Sequence, residues 1–439
     1  MKEKSIHAYA SMILAGLFLF LGSTASLAGE KMTLQESIDI ALKQSLLIHS
    51  AREGVAGAQA QEREAFTGFL PKLSTSYGYN RLNEDPTMTV PTLGTFGTGT
   101  RDNYTWATEV RQPLFAGGGI VANWRAGKLG AEIARTDEQA AVNDLVLDVK
   151  TTYFSVLKAQ RIAGAARQAV ELLQAHRNMA KDFFDVGMVP RNDVLRAEVE
   201  LANGTYNLTK AENVLEMAKA NFNTILRRDV NEPVALEDIP DLRPFDGSIE
   251  NMRKQALENR PELRSYAMKT EQADRYVDAA RSEFFPTISA VGHYERFGDT
   301  PGVSGSPYQD AESWYVGGML SWNFWEWGRT KYRVDSVKSR RNQVQDALEG
   351  MKDRVTLEVK NAWLQLDEAR KQVAVTKKAI EQAEENFRMS QERYREQVGT
   401  ATEVLDAQTL LTRSRSDHAG ALADYHIGLA RLERAMGRR

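Results

Sequence analysis

The chain of 439 residues carries 56 Lys+Arg against 59 Asp+Glu, a formal charge of −3, so it lacks the basic surplus that nucleic-acid binding demands. It has no cysteine at all, which excludes disulfide staples, a nucleophilic thiol and a lipid carried on an N-terminal cysteine.

In chain order, Lys2 and Lys4 precede the apolar run Met12 to Leu21 and then Ser26-Leu27-Ala28, a small-x-small cleavage site; residues 1–28 are expected to be a secretory signal peptide. Its removal lowers Lys+Arg from 56 to 54 and Asp+Glu from 59 to 58, leaving −4. No later stretch reaches the roughly 20 consecutive apolar residues of a membrane-spanning helix.

Beyond residue 28 the chain repeats itself once. Thr33-Leu34-Gln35-Glu36-Ser37-Ile38 leads to Ala41-Leu42 and Phe69-Leu70-Pro71, and Ser248-Ile249 leads to Ala256-Leu257 and Phe284-Phe285-Pro286, an offset of 215. Leu114-Phe115-Ala116-Gly117-Gly118 is answered at an offset of 210 by Phe324-Trp325-Glu326-Trp327-Gly328. A duplication this long is no short solenoid repeat; it predicts two similar half-units about a pseudo-symmetric axis, residues 29–247 and 248–439. Residues 229–247, with Pro233, Pro240 and Pro244, read as the linker between them.

After each proline the pattern alternates. Leu73, Thr75, Tyr77 and Tyr79 form one face of a first strand, and Trp106, Thr108 and Val110 one face of the next; Ile288, Ala290, Gly292 and Tyr294, then Trp314, Val316, Gly318, Leu320, Trp322 and Phe324, repeat the arrangement. The spacing predicts two strand hairpins, 72–114 and 287–324, of four strands of about 10 residues each, the length a tilted membrane strand needs. The tips, 82–103 and 298–312, are rich in Gly, Thr, Pro and Ser and read as exposed loops. Trp106, Trp314, Trp322, Trp325 and Trp327, five of the seven tryptophans, lie in or at the rim of these strands, as aromatic girdles at two membrane interfaces do.

The remainder is helical. From Val337 through Arg341, Val344, Leu348, Met351, Val355, Glu358, Ala362, Leu366, Ala369, Val373, Thr376, Ile380 and Ala383 to Phe387, alternating steps of three and four mark a coiled-coil seam. The counterpart, from about Ile120 to Asp185, contains no proline and predicts a rod near 100 Å at about 1.5 Å per residue. Each rod is expected to turn at a glycine and return, through 193–227 and 402–436.

Signatures of catalysis fail in turn: no nucleophilic cysteine, no Gly-x-Ser-x-Gly, no Gly-x-x-x-x-Gly-Lys-Ser/Thr and no His-Glu-x-x-His. Gly117-Gly118-Gly119 reads as a tight turn, and His418 and His426 stand eight apart, not at metal-ligand spacing. No enzymatic activity, cofactor or metal is expected.

The duplicated landmarks, two strand hairpins, two rods and a glycine at each far turn make the chain resemble the TolC-like outer-membrane efflux family over essentially its whole mature length. That resemblance implies an α+β membrane protein: a homotrimer in which each protomer gives four strands to one 12-stranded β-barrel, continued through the periplasm by an antiparallel α-helical coiled-coil tunnel. Physics supplies the same reason for assembly, because four strands leave two open edges that lipid cannot satisfy. The implied partners are a periplasmic adaptor (membrane fusion protein), an inner-membrane pump and outer-membrane lipid, with no nucleic acid. Family members dock the adaptor at a Val-Gly-Leu-like motif in the helical turns, matched here by Val186-Gly187-Met188 and Val398-Gly399-Thr400; left-handed helix capping is the alternative role for the two glycines. The family's acidic tunnel entrance is matched by Glu403-Val404-Leu405-Asp406, so Glu403 and Asp406 are the implied ring, with an ordinary solvated helix face as the other reading. The first half carries Asp193-Val194-Leu195-Arg196 instead. Taking Val186-Gly187 and Val398-Gly399 as equivalent implies a two-residue deletion at the second turn, shifting the register near Tyr394. The function implied is the outer-membrane exit duct of a tripartite efflux system. A type I protein-secretion duct shares the fold, and a secreted coiled-coil adhesin or scaffold is the reading of another class.

Overall fold

The computed structural model describes residues 31–239, 242 and 247–438; the expected signal peptide lies outside the described residues. Helices α1 (Leu34–Gln44) and α2 (Leu46–Thr67) lead into strand β1 (Lys72–Arg81). Two short strands, β2 (Thr87–Val90) and β3 (Gly94–Gly97), precede β4 (Asp102–Ala116), which runs into α3 (Gly119–Asp185) and returns as α4 (Arg191–Ile225). The order recurs as α5 (Ile249–Asn259), α6 (Pro261–Arg281), β5 (Thr287–Gly298), β6 (Glu312–Ser321), α7 (Arg329–Arg395) and α8 (Ala401–Ala435). No described helix is long and apolar enough to cross a membrane.

Local chemistry sets these boundaries. Thr33 and Glu36 close a reciprocal capping box on α1, with Glu36 N–H donating to Thr33 Oγ1 at 3.1 Å and Thr33 N–H to Glu36 Oε2 at 2.8 Å. Ser248 caps α5 in the same place of the second half, and Pro261 opens α6, where its missing N–H costs nothing. Both strand-to-helix junctions need a left-handed glycine, Gly118 (φ 86°) before α3 and Gly328 (φ 82°) before α7.

Strands β1-β4-β5-β6 form one antiparallel sheet in that order. Direct cross-strand partners share a face, so the register sorts the side chains. Tyr77, Trp106, Val110, Tyr294, Trp314, Val316 and Leu320 fall on one face, and Ser74, Ser76, Glu109, Arg111, His293 and Glu295 on the other. The apolar face has aromatic ends. Away from the helices, Tyr79 stacks on Tyr104 at 4.7 Å and Trp106 meets Tyr294 at 6.1 Å; at the helix junction Trp322 contacts Phe324 at 6.0 Å and Trp325 contacts Trp327 at 5.6 Å. From Trp314 to Ser321 the strand runs about 24 Å, close to the apolar band of an outer-membrane barrel. Two expectations change here. The first loop is not structureless, since β2 and β3 pair within it, and the fourth main strand ends at Ser321, leaving Trp322 and Phe324 beyond the ladder.

The helices reproduce the duplication to the residue. Each long helix, α3 and α7, has 67 residues and each return helix, α4 and α8, has 35. A rod of that length is about 100 Å and its return about 52 Å, so α4 and α8 line only the distal half. The proximal half is flanked by α2 and α6, with α1 and α5 packed at the waist. Val355, Ala362, Leu366, Ala369, Val373, Thr376 and Ala383 of the predicted seam are buried, and α7 packs on α8 along it. Separate apolar cores serve the two halves, one around Val149, Tyr153, Val156 and Phe222, the other around Val355, Val359, Tyr425 and Leu432.

Part of the expected linker is packed. Leu236 is buried in the first core and bridges Met32 in parallel, and Tyr153 Oη donates to the carbonyls of Met32 (3.2 Å) and Glu237 (3.1 Å). Burial, before the charge of Glu237, pushes the Tyr153 phenol up to about 12. At the second half's waist, Arg260 is buried and bonded to Glu262 and Glu358, and Arg434 reaches Glu262, Glu358 and Asp144.

Candidate functional site at the distal tip of the helical hairpins

Both turns at the far end of the rods are five residues long, 186–190 between α3 and α4 and 396–400 between α7 and α8. Because helix ends and starts correspond at an offset of 210, there is no deletion at the second turn. The repeated Val-Gly pair is a sequence coincidence two residues out of structural register: Gly187 superposes in order on Gln397, and Gly399 on Val189. Backbone conformation confirms the correspondence. Gly187 has φ 77° and Gln397 φ 60°, whereas Gly399 is not left-handed.

Both turns close as Schellman motifs. Gly187 N–H donates to Phe184 O (2.9 Å) and Met188 N–H to Phe183 O (2.8 Å); Gln397 N–H donates to Tyr394 O (3.1 Å) and Val398 N–H to Arg393 O (2.9 Å). The left-handed capping role therefore belongs to Gly187 but passes to Gln397 in the second turn. Val186 (68 % exposed), Met188 (57 %) and Val398 (66 %) project into solvent as an apolar rim. Gly399 is constrained by space instead: a Cβ there lies 3.0 Å from Arg393 Cβ and 3.1 Å from Glu403 Oε2.

Thr400 and Glu403 form the capping box of α8, with Glu403 N–H donating to Thr400 Oγ1 at 3.3 Å and Thr400 N–H to Glu403 Oε2 at 3.4 Å. The Glu403 carboxylate also stands 3.9 Å from Arg393 Nε. Asp406, one turn on, has another setting. It lines a groove of about 500 Å³ between α4 and α8, together with Arg196 and Glu200. Arg196, which holds in α4 the position Asp406 holds in α8, donates from Nη1 to Thr402 Oγ1 at 2.9 Å and so spans the groove. The structure thus brings Asp406 to the groove and keeps Glu403 at the helix end.

Beneath the turns lies a small core that the sequence did not announce. Tyr394, Ala401 and Val404 are buried, and the half-buried Met179, Phe183 and Phe387 pack against them. The Tyr394 ring sits 5.1 Å from the His176 imidazole and 5.7 Å from Phe183. His176 is 5 % exposed and Tyr394 3 %, yet neither His176 Nε2 nor Tyr394 Oη has a hydrogen-bond partner. Burial pushes the His176 imidazole below its ordinary range, against the pull of Asp193; burial, and then Asp193, pushes the Tyr394 phenol up. His176 gave no signal in sequence because one histidine on a long helix has no partner at helical spacing.

Comparison with known proteins agrees with this architecture. The family model described as Outer membrane efflux protein matches residues 37–226 and 252–438. The chain is 23 % identical over 410 residues to the outer membrane efflux protein BepC of Brucella suis biovar 1, covering 92 % of this chain and 85 % of BepC. It is 23 % identical over 388 residues to the outer membrane protein TolC of Escherichia coli K12, covering 82 % and 77 % of the two. Among solved structures, the Campylobacter jejuni CmeC outer membrane channel superposes with a TM-score of 0.80 at 19 % identity, over 92 % of this chain and 85 % of that one. With two family matches that together span both halves, a sheet with one apolar face and rods that continue it, the chain belongs to the outer membrane efflux protein family.

Proposed function

We propose that three copies of the chain form the outer-membrane exit duct of a tripartite efflux system, passively conducting what an inner-membrane pump and a periplasmic adaptor deliver. The observation that carries this reading is the four-stranded sheet: apolar on one face, polar on the other, and open at both edges, β1 and β6. A hydrocarbon phase cannot satisfy those edge N–H and C=O groups, whereas the β6 edge of one copy can pair with the β1 edge of the next. Closure by three gives twelve strands around a polar lumen, with His293, Glu295, Glu109 and Arg111 inside.

The helices support the same symmetry. Distally they are ordered α4-α3-α8-α7, so α4 and α7 form the margins of the protomer. Exposed apolar side chains lie on both margins: Leu195, Val199, Tyr206, Val214 and Met217 on α4, and Leu357, Leu364, Val375 and Met389 on α7. Unlike margins meeting head to tail close into a ring. In this reading the exposed rim of Val186, Met188 and Val398 is the adaptor contact, Gly187, Gly399 and Thr400 shape the turns that present it, and Asp406, with Glu403 above it, sets the charge of the tunnel entrance. Nothing in this mechanism calls for catalysis; the driving energy is the pump's.

The test is assembly and conduction in one preparation. Protein extracted from outer membranes is expected to have three times the monomer mass in detergent and to give discrete conductance steps in planar bilayers; a stable monomer without conductance overturns the reading.

A further inference from the structure

Beneath the sheet, α6 packs between α3 and α7, and a cavity of about 940 Å³ opens over it, lined by Asn123 of α3 as well as by Arg340 of α7. A cavity shared by the first and third helices over the middle one marks the concave side of the layer. When three copies close into a ring, their concave sides form its inner wall. The floor of the cavity is apolar: Val337 and Val344 are half-buried, Ala280 is buried, and Tyr276, 47 % exposed, borders them. Its α7 wall is cationic. From Arg329 to Arg341 the helix carries six cations and one acid, in a chain whose formal charge is −3. Three cations of the cavity are already neutralised, Arg333 by Glu283 at 2.8 Å, Arg341 by Asp274 at 2.9 Å and Lys269 by Asp137 at 3.4 Å. Among the described residues no carboxylate pairs with Arg340, which is exposed.

We infer that this cavity is a niche in the tunnel wall for an amphiphilic organic anion, whose carboxylate or sulfonate pairs with Arg340 while its apolar body lies on Val337, Val344 and Tyr276. The volume is that of a site for a drug-sized molecule, and one unpaired guanidinium beside an apolar floor sets both the charge and the orientation of the occupant. The role of the niche, a brief hold on cargo in transit, rests on the duct reading proposed for the trimer; its chemistry rests on a single protomer. Conduction requires a hold weak enough to release, and a cavity bordered by exposed side chains such as Arg340 and Tyr276 meets that requirement. Arg340 stands about 16 Å along α7 from the strand-to-helix junction and roughly 80 Å from the distal tip. The acidic entrance at Asp406 is therefore many Debye lengths away, at roughly 8 Å each, and does not offset it. The duct presents opposite charges to its cargo at its two ends.

The cysteine-free chain allows a direct test. Ala347 is an exposed residue of the same cavity, so in Ala347→Cys the rate of thiol modification by a methanethiosulfonate reagent reports occupancy in full-length protein in bilayers. The probes are a naphthalenesulfonate and the equally sized naphthyltrimethylammonium. The sulfonate is expected to slow modification at concentrations where the ammonium has no effect. Arg340→Gln should raise the sulfonate concentration required by about tenfold, whereas Arg354→Gln, on the same helix but outside this cavity, should leave it unchanged. In planar bilayers the sulfonate should give brief current reductions that Arg340→Gln shortens. Equal protection by both probes, or undiminished protection in Arg340→Gln, overturns the niche. Protection without current reductions in a conducting channel puts the cavity outside the tunnel and overturns it as well. Selective protection in protein that never conducts overturns the duct and leaves the anion site standing.

Discussion

Arg434 of α8 and Glu262 of α6 meet at 2.9 Å across the waist, and the same guanidinium holds Glu358 of α7 and Asp144 of α3. Four helices from both halves are thereby joined through one side chain. Burial alone lifts the Glu262 carboxyl, but the hydrogen bond and charge of Arg260, with Arg434 behind it, outweigh burial and hold it below the ordinary glutamate range.

Arg434→Met is therefore expected to destabilise the protein by about 1–2 kcal/mol, because Asp144 loses its guanidinium while Arg260 still holds Glu262 and Glu358. The sign of the pH dependence is that of a depressed acid: the stabilisation is complete above the ordinary glutamate range and disappears as pH falls through the lowered value. Thermal melts should show acid lability in the native chain and less of it in Glu262→Gln. An unaltered acid limb in Glu262→Gln would mean that other carboxylates govern it.

The two distal turns should respond oppositely to glycine. Gln397→Gly relieves a left-handed side chain and is expected to stabilise by up to about 1 kcal/mol, while Gly187→Ala costs about as much. Gly399→Ala acts by crowding Arg393 and the Glu403 cap, and should be rescued in part by Arg393→Ala. Denaturation midpoints of the four variants decide the matter.

A charge on the α7 margin should block assembly without unfolding the protomer. Leu364 and Val375 are 48 % and 67 % exposed, so Leu364→Glu with Val375→Glu disturbs no core of the single chain. Light scattering in detergent is expected to show loss of the trimer with helical circular dichroism retained. A trimer of native stability would place the margin elsewhere.

At the tunnel entrance the two acids should separate. Asp406→Asn is expected to reduce cation preference in planar bilayers, since in the proposed trimer this groove-lining carboxylate recurs three times around the entrance. Glu403→Gln should chiefly loosen the α8 cap, at a cost of about 1 kcal/mol, with a smaller change in reversal potential. Equal effects on selectivity would put both carboxylates on the conducting surface.

Much of this fold was legible because it is written in period. The seam from Val337 to Phe387 and the alternation from Trp314 to Leu320 each repeat one physical demand, burial on one stripe or one face, often enough to be read without coordinates. The distal site was harder for the same reason. Glycine marks a turn in sequence only through its licence for left-handed backbone, a demand on conformation that Gln397 also meets, and the matching Val-Gly letters lie two residues out of structural register. The β2–β3 hairpin was hidden by the Gly, Thr and Pro content of its loop. His176 and Tyr394, 218 residues apart in sequence, become neighbours only through the docking of one hairpin on the other.

The equal lengths of the paired helices carry a consequence for how such a chain can change. With 67 residues out and 35 back in both halves, the two tips finish level, and each added residue moves one tip about 1.5 Å past the other. A single insertion also turns the seam by about 100° and exposes it. Lengthening that keeps both level tips and buried seams requires whole heptads, about 10.5 Å at a time, added to the outgoing and returning arms of both halves together. Reach is thus quantised in this architecture, in steps that all four arms must take together.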